Sequence, residues 1–155
     1  NDSSLIFHPR KVVYNKEMDM YAFFQEGQVV YTLSGDGKYI GNSEKVRSKG
    51  PGDYYMVLDI KFNPYFKGID VLNPYGTIYT YTPTFKLLSE RKYNQEFPEA
   101  NFMPLNNVNY LFSNPAMWTD QEVSFENIRT GQKSNTSYKG ILSSYNNMSD
   151  TRWRN

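Results

Sequence analysis

The sequence predicts a mostly β domain. Aromatic residues make up 17% of its 155 residues, as 14 Tyr, 10 Phe and 2 Trp, whereas alanine occurs only at Ala22, Ala100 and Ala116. Aromatic and β-branched side chains suit a pleated, half-buried surface, and an alanine-poor chain makes a weak helix former. The expected architecture is a single domain, 1–155, of antiparallel sheet with one helix, and with flexible ends at about 1–9 and 146–155.

The elements follow in order. From Met18 to Gly41, Met18, Met20, Ala22 and Phe24 alternate, Glu26-Gly27 punctuates, and Val29, Tyr31 and Leu33 continue. Gly35-Asp36-Gly37 then leads into Lys38-Tyr39-Ile40, and an Asp-Gly pair between alternating segments is a hairpin signal. The segment reads as a three-strand meander; the competing reading is a short helix from Lys16 to Glu26, capped by Asn15 and stopped by Gly27. Asn42 to Gly52 is a polar loop, and Tyr54 to Phe62 is a strand.

Asn63-Pro64-Tyr65 and Asn73-Pro74-Tyr75 repeat one tripeptide around Phe66 to Leu72, which marks two turns joining short strands. Gly76 to Thr82 alternates strictly, with Ile78, Thr80 and Thr82 on one face and Thr77, Tyr79 and Tyr81 on the other, one of which meets the core. Phe85 to Phe97 is the candidate helix, with Thr82-Pro83 as its start and Phe85, Leu88 and Phe97 spaced helically. Pro98 to Pro115 reads as loop around a short strand at Val108 to Phe112, and Val123, Phe125 and Ile128 suggest another strand. From Arg129 the chain turns polar, with few apolar anchors beyond Tyr138, Ile141, Leu142, Tyr145 and Trp153.

Composition also bounds the chemistry. There is no cysteine, hence no disulfide, thiolate metal site or cysteine nucleophile, and His8 is the single histidine. The formal net charge of +1 is too small for a phosphate-tracking surface, although Lys45, Arg47, Lys49, Arg152 and Arg154 lie near aromatics. No apolar run approaches a bilayer span, and a chain opening at Asn1 is expected to be cut from a longer protein. Sequons at Asn1, Asn135 and Asn147 are what an Asn- and Ser-rich chain contains by chance.

Asp53 with Asp59-Ile60-Lys61 is similar to the acids by which nucleases hold a metal ion. On one strand the two would stand about 20 Å apart, which reads as two sheet-surface acids. Glu17 with Asp19, and Asp120 with Glu122, are close carboxylate pairs of a kind common on strands, so no catalytic residue, metal or cofactor is expected. What remains is the aromatic and amide excess. Planar rings pack against the apolar faces of sugars while amides and arginines pair the hydroxyls. Trp118, Tyr75, Tyr79, Tyr81 and Trp153 are the candidate rings, with Arg152 beside the last.

Gly76-Thr77-Ile78-Tyr79-Thr80-Tyr81-Thr82-Pro83 resembles a strand of the rotavirus spike head, the trypsin-released distal domain of the outer-capsid spike protein. Lys67-Gly68-Ile69-Asp70-Val71-Leu72 resembles its partner strand. Thr151-Arg152-Trp153-Arg154-Asn155 looks like the approach to a cleavage region. The resemblance implies a galectin-like sandwich or, for a divergent group B-like head, another β arrangement. It further implies a virion-surface lectin, made in the host cytoplasm, that attaches the virus to galactose-containing glycans of lactosamine, blood-group or sialylated type. Its partners would be those glycans and the rest of the spike, with no nucleic acid and no membrane insertion. The alternative is a bacterial surface or secretion-apparatus β-sandwich acting as a protein-interaction module.

Overall fold

The computed structural model describes residues 9–25, 28–93, 101–113 and 121–138. Among them, twelve strands form three four-stranded antiparallel sheets, each a simple meander in chain order. The first contains β1 (Lys11–Asn15), β2 (Met20–Phe24), β3 (Val30–Ser34) and β4 (Tyr39–Asn42). The second contains β5 (Asp59–Asn63), β6 (Gly68–Asn73), β7 (Thr77–Tyr81) and β8 (Leu87–Lys92). The third contains β9 (Asn101–Pro104), β10 (Asn109–Ser113), β11 (Gln121–Asn127) and β12 (Gln132–Tyr138).

The mostly β expectation is thus observed, and the sheets stack three deep. The Met18–Gly41 meander is present, and the helical alternative for Lys16 to Glu26 is not. The one predicted helix is a correction. Leu87–Lys92 of the predicted segment form strand β8, residues 94–97 lie outside the described residues, and the helical content of the described residues is a single 3-10 turn at Glu44–Val46. Thr82 does not start a helix: its hydroxyl accepts from Lys86 N at 3.0 Å, and its backbone closes the turn to Lys86 and Phe85 that returns the chain against β7. Pairing with β7 then overrides the helical propensity of Ser89-Glu90-Arg91-Lys92.

The two Asn-Pro-Tyr tripeptides do the same physical work. Asn63 Oδ1 accepts from Tyr65 N at 3.0 Å in the β5–β6 turn, and Asn73 Oδ1 accepts from Tyr75 N at 2.7 Å in the β6–β7 turn. Each side chain mimics a backbone turn while proline ends the ladder. Gly76 follows with φ +80°, a conformation that side chains disfavour. At Gly68 the need is space, because a Cβ there would lie 2.5 Å from the Tyr81 carbonyl oxygen.

Side-chain alternation decides which face meets which sheet. Val13, Ala22, Phe24 and Val30 of the first sheet pack with Ile60, Ile69, Val71, Tyr79 and Tyr81 of the second. The opposite face of the second sheet places Leu72 and Ile78 against Phe102, Tyr110 and Phe112 of the third. Strand β7 is buried on both faces rather than one, since the middle sheet has a neighbour on each side.

Successive sheets approach through their first strands, β1 beside β5 and β5 beside β9. Asp59 sits at this seam. Its buried carboxylate pairs with Lys11 Nζ of the first sheet, accepts from Ile60 N at 2.8 Å, and receives Phe102 N of the third sheet at 3.4 Å. Asp59 is therefore not the surface acid expected from the sequence: a strand beginning at Asp59 instead of Tyr54 puts it at the meeting point of three sheets.

Candidate functional site

Residues 54–58 form an irregular stretch rather than the start of a strand, for a local reason. Tyr54 and Val57 turn into the core while Tyr55 and Met56 point outward. The inward residues are held by Gln28, two residues before β3: its carbonyl accepts from Tyr54 OH at 2.9 Å, and its side-chain Oε1 accepts from Val57 N at 2.6 Å. Ser43 also hydrogen-bonds the Tyr54 hydroxyl and accepts from Val30 N at 2.8 Å. The stretch then joins the second sheet, where Leu58 N donates to Leu72 O at 2.9 Å.

This anchoring brings Tyr55 and Met56 to the same end of the second sheet as the β6–β7 turn that carries Tyr75. The Tyr75 hydroxyl donates to Met56 Sδ at 3.8 Å, and Lys49 Nζ stands 5.0 Å from the centre of the Tyr55 ring. Tyr75 is 67% exposed and Tyr55 50% exposed. The result is an aromatic and thioether cluster with one cation at its rim, presented on a pinned loop and a tight turn.

The sequence-predicted rings separate sharply. Tyr75 lies in this cluster. Tyr79 and Tyr81 do not; both belong to the core between the first two sheets, where a sugar has no access to them. The Tyr81 hydroxyl donates to Gly52 O at 2.8 Å, and its ring lies 6.2 Å from Tyr54 and 6.1 Å from Phe85. Trp118, Arg152 and Trp153 lie outside the described residues. Tyr55 and Met56 were missed because the segment reads as an alternating strand; the signal was the adjacent Tyr-Tyr-Met, which no two-faced strand buries on one side.

Of the candidate acids, Asp120 lies outside the described residues, and Asp53, Asp19 and Asp59 are engaged in structural contacts. Asp53 is hydrogen-bonded by Ser48, and Asp19 Oδ1 accepts from Tyr14 OH at 2.9 Å in the β1–β2 turn. Among the described residues, no three of His, Cys, Asp and Glu are grouped so as to hold a metal ion. Lys61, next to Asp59 on β5, has its ammonium pKa lowered by burial and then by the Lys11 charge. In the second sheet, Asp70 accepts from Asn63 Nδ2 and from Tyr110 OH, each at 2.7 Å, from Arg91 Nη2 at 3.1 Å, and from the Thr80 hydroxyl. Burial raises its carboxyl pKa against the pull of the Arg91 guanidinium and these donors.

Burial also pushes the Tyr54 phenol up to about 12. A folded value above the unfolded value of about 10 means that the contribution of Tyr54 is intact below pH 10 and is lost as the pH climbs through 12. Urea midpoints should therefore fall over that interval, and fall less in Tyr54→Phe, which has no phenol to ionise.

No family model and no curated protein matches the sequence. Among solved structures, the chain is similar to the Neurospora crassa Pan2 WD40 domain, with a TM-score of 0.55 at 6% identity over 84% of this chain. The fold is that of propeller blades. Four-stranded meanders placed side by side, with their first strands adjacent, are the units such rings repeat. The chain spans 38% of the length of the Pan2 chain.

Proposed function

We propose that this chain is a protein-interaction module built from propeller sheets, and that it holds its partner through Tyr55, Met56 and Tyr75. The observation that carries this reading is the exposed cluster itself. Tyrosine and methionine are enriched where protein surfaces meet, and a ring already fixed by a tight turn loses little freedom on binding. Lys49 at the rim favours a partner with an acidic group beside an apolar one. The likeness to a WD40 domain supports the architecture of a binding scaffold, and the partner is read from the surface chemistry alone.

Host-glycan attachment is the second reading, and among the described residues its ring is Tyr75. An exposed tyrosine at a turn can stack on a galactose face as well as on a protein side chain. One pair of measurements separates the two. The full chain and its Tyr55→Ala/Tyr75→Ala variant are compared by proximity crosslinking in the source cells and by binding to immobilised lactosamine, blood-group and sialylated glycans. The interaction reading expects crosslinked proteins that the variant loses, with no glycan retained by either form. Glycan retention by wild type alone favours attachment, and identical crosslinks from both forms exclude this surface.

A further inference from the structure

The first strands of the three sheets stand side by side, β1 beside β5 and β5 beside β9, and in a propeller the blades surround a central channel. Three charged side chains meet at this seam. Lys11 comes from β1, while Asp59 and Lys61 come from β5, two residues apart and therefore on one face of the strand. Lys11 Nζ pairs with Asp59, and the Lys61 ammonium lies against that of Lys11, so two groups that only donate hydrogen bonds face each other.

The charges at the seam do not balance. The buried Asp59 carboxylate already receives Lys11 Nζ, Ile60 N and Phe102 N. Among the described residues, Lys61 has no ion pair and no hydrogen-bond acceptor of its own. Two ammonium groups against one carboxylate leave one positive charge where solvent reaches only in part, since Lys11 is 27% exposed and Lys61 is partly buried. Charge without a counter-charge is costly away from water, and each lysine adds to the cost of the other. The lowering of the Lys61 ammonium pKa by burial and by Lys11, against the pull of Asp59, has the same origin.

We infer that Lys11 and Lys61 form an anion site that takes one carboxylate, with an oxygen on each ammonium. One negative charge makes the group neutral, and the two oxygens accept a charge-assisted hydrogen bond from each lysine. A phosphate brings about 1.5 to 2 negative charges, which overshoots neutrality and places the excess beside Asp59. The carboxylate belongs to a small acid or to an Asp or Glu side chain of a protein partner. Position favours the second source: Asp59 follows Met56 by three residues, a span of at most about 11 Å, so a partner seated on Tyr55, Met56 and Tyr75 reaches the seam. That source rests on the interaction reading, whereas the anion site itself does not.

The test is titration of the full chain, carrying isotope-labelled lysine, with sodium acetate, inorganic phosphate or sodium chloride at matched ionic strength, read by NMR at the lysine Cε resonances. Acetate should shift Lys11 and Lys61 saturably and raise the melting temperature, chloride should do neither, and phosphate should bind more weakly than acetate. Lys61→Met should weaken acetate binding about ten-fold or more, the worth of one charged hydrogen bond, while Lys45→Met, at an exposed position, leaves it unchanged. Circular dichroism checks that Lys61→Met keeps its sheet content, and Lys61→Gln replaces it if it does not. Proximity crosslinking in the source cells then separates the two sources: proteins lost by Lys61→Met as well as by Tyr55→Ala/Tyr75→Ala assign the carboxylate to a partner, and an unchanged set assigns it to a small acid. Acetate binding without any crosslinked protein removes the interaction reading and leaves the site standing. No acetate response at Lys61, an undiminished response in the Lys61 variant, or tighter binding of phosphate would overturn the inference.

Discussion

Replacing Asp70 with alanine should destabilise the protein by about 3–5 kcal/mol, since one member of a buried ion pair is removed and the other is left without its counter-charge. Asp70 is fully buried and gathers Asn63, Thr80 and Arg91 from its own sheet and Tyr110 from the next. Arg91 is only 12% exposed and lies over two rings, 4.6 Å from Phe66 and 5.1 Å from Tyr110. Among the described residues its Nε and Nη1 have no hydrogen-bond partner, and Asp70 and Thr80 receive the hydrogen bonds of its Nη2. Urea unfolding measures the loss. The double variant Asp70→Leu/Arg91→Met should lose less than Asp70→Ala, because apolar replacement removes both desolvated charges together. A single variant within about 1 kcal/mol of wild type would show that the network does not couple the second and third sheets, since such a loss matches one ordinary hydrogen bond.

Tyr81→Ala is expected to cost a comparable amount, about 3–5 kcal/mol, through the cavity left by a large buried ring. Tyr81→Phe keeps the ring and removes only the bond to Gly52, so its cost should be about 1 kcal/mol. Tyr75→Ala, at an exposed turn, should stay within about 0.5 kcal/mol. Thermal and urea unfolding of the three variants therefore rank the rings by what they contact. A Tyr81→Ala protein as stable as wild type would contradict the packing of the first two sheets.

The contrast between these two tyrosines shows how far the sequence could be read. Both belong to a short tract of alternating residues and turn signals, and the turns were legible because Asn63 and Asn73 act within two residues of themselves. Strand β7 was legible too, but not its environment. Alternation says that Tyr79 and Tyr81 share a face, and says nothing about a second sheet arriving on the other side. Strand β8 was hidden for a related reason: exposed on Leu87, Leu88, Glu90 and Lys92, it carries the composition of a solvated helix and is made a strand by its partner. Strands β1 and β12 lacked a signal for the same cause, being short or polar segments at sheet edges. The Tyr55–Met56–Tyr75 cluster needed two loops brought to one end of a sheet, which only register and the Gln28 anchor supply.

The simple meander of each sheet has a kinetic consequence. Every strand pairing among the described residues joins sequence neighbours, so the loops that must close before hydrogen bonds form are short. The entropy of closure is correspondingly small and the contact order low for a β protein. Each sheet can form its ladder before meeting the next, and the last events are the burial of Tyr79 and Tyr81 on one side and of Asp70 with Tyr110 on the other. Substitutions at those positions should then accelerate unfolding far more than they slow folding, whereas changes in the Asn63 and Asn73 turns should act on the folding rate.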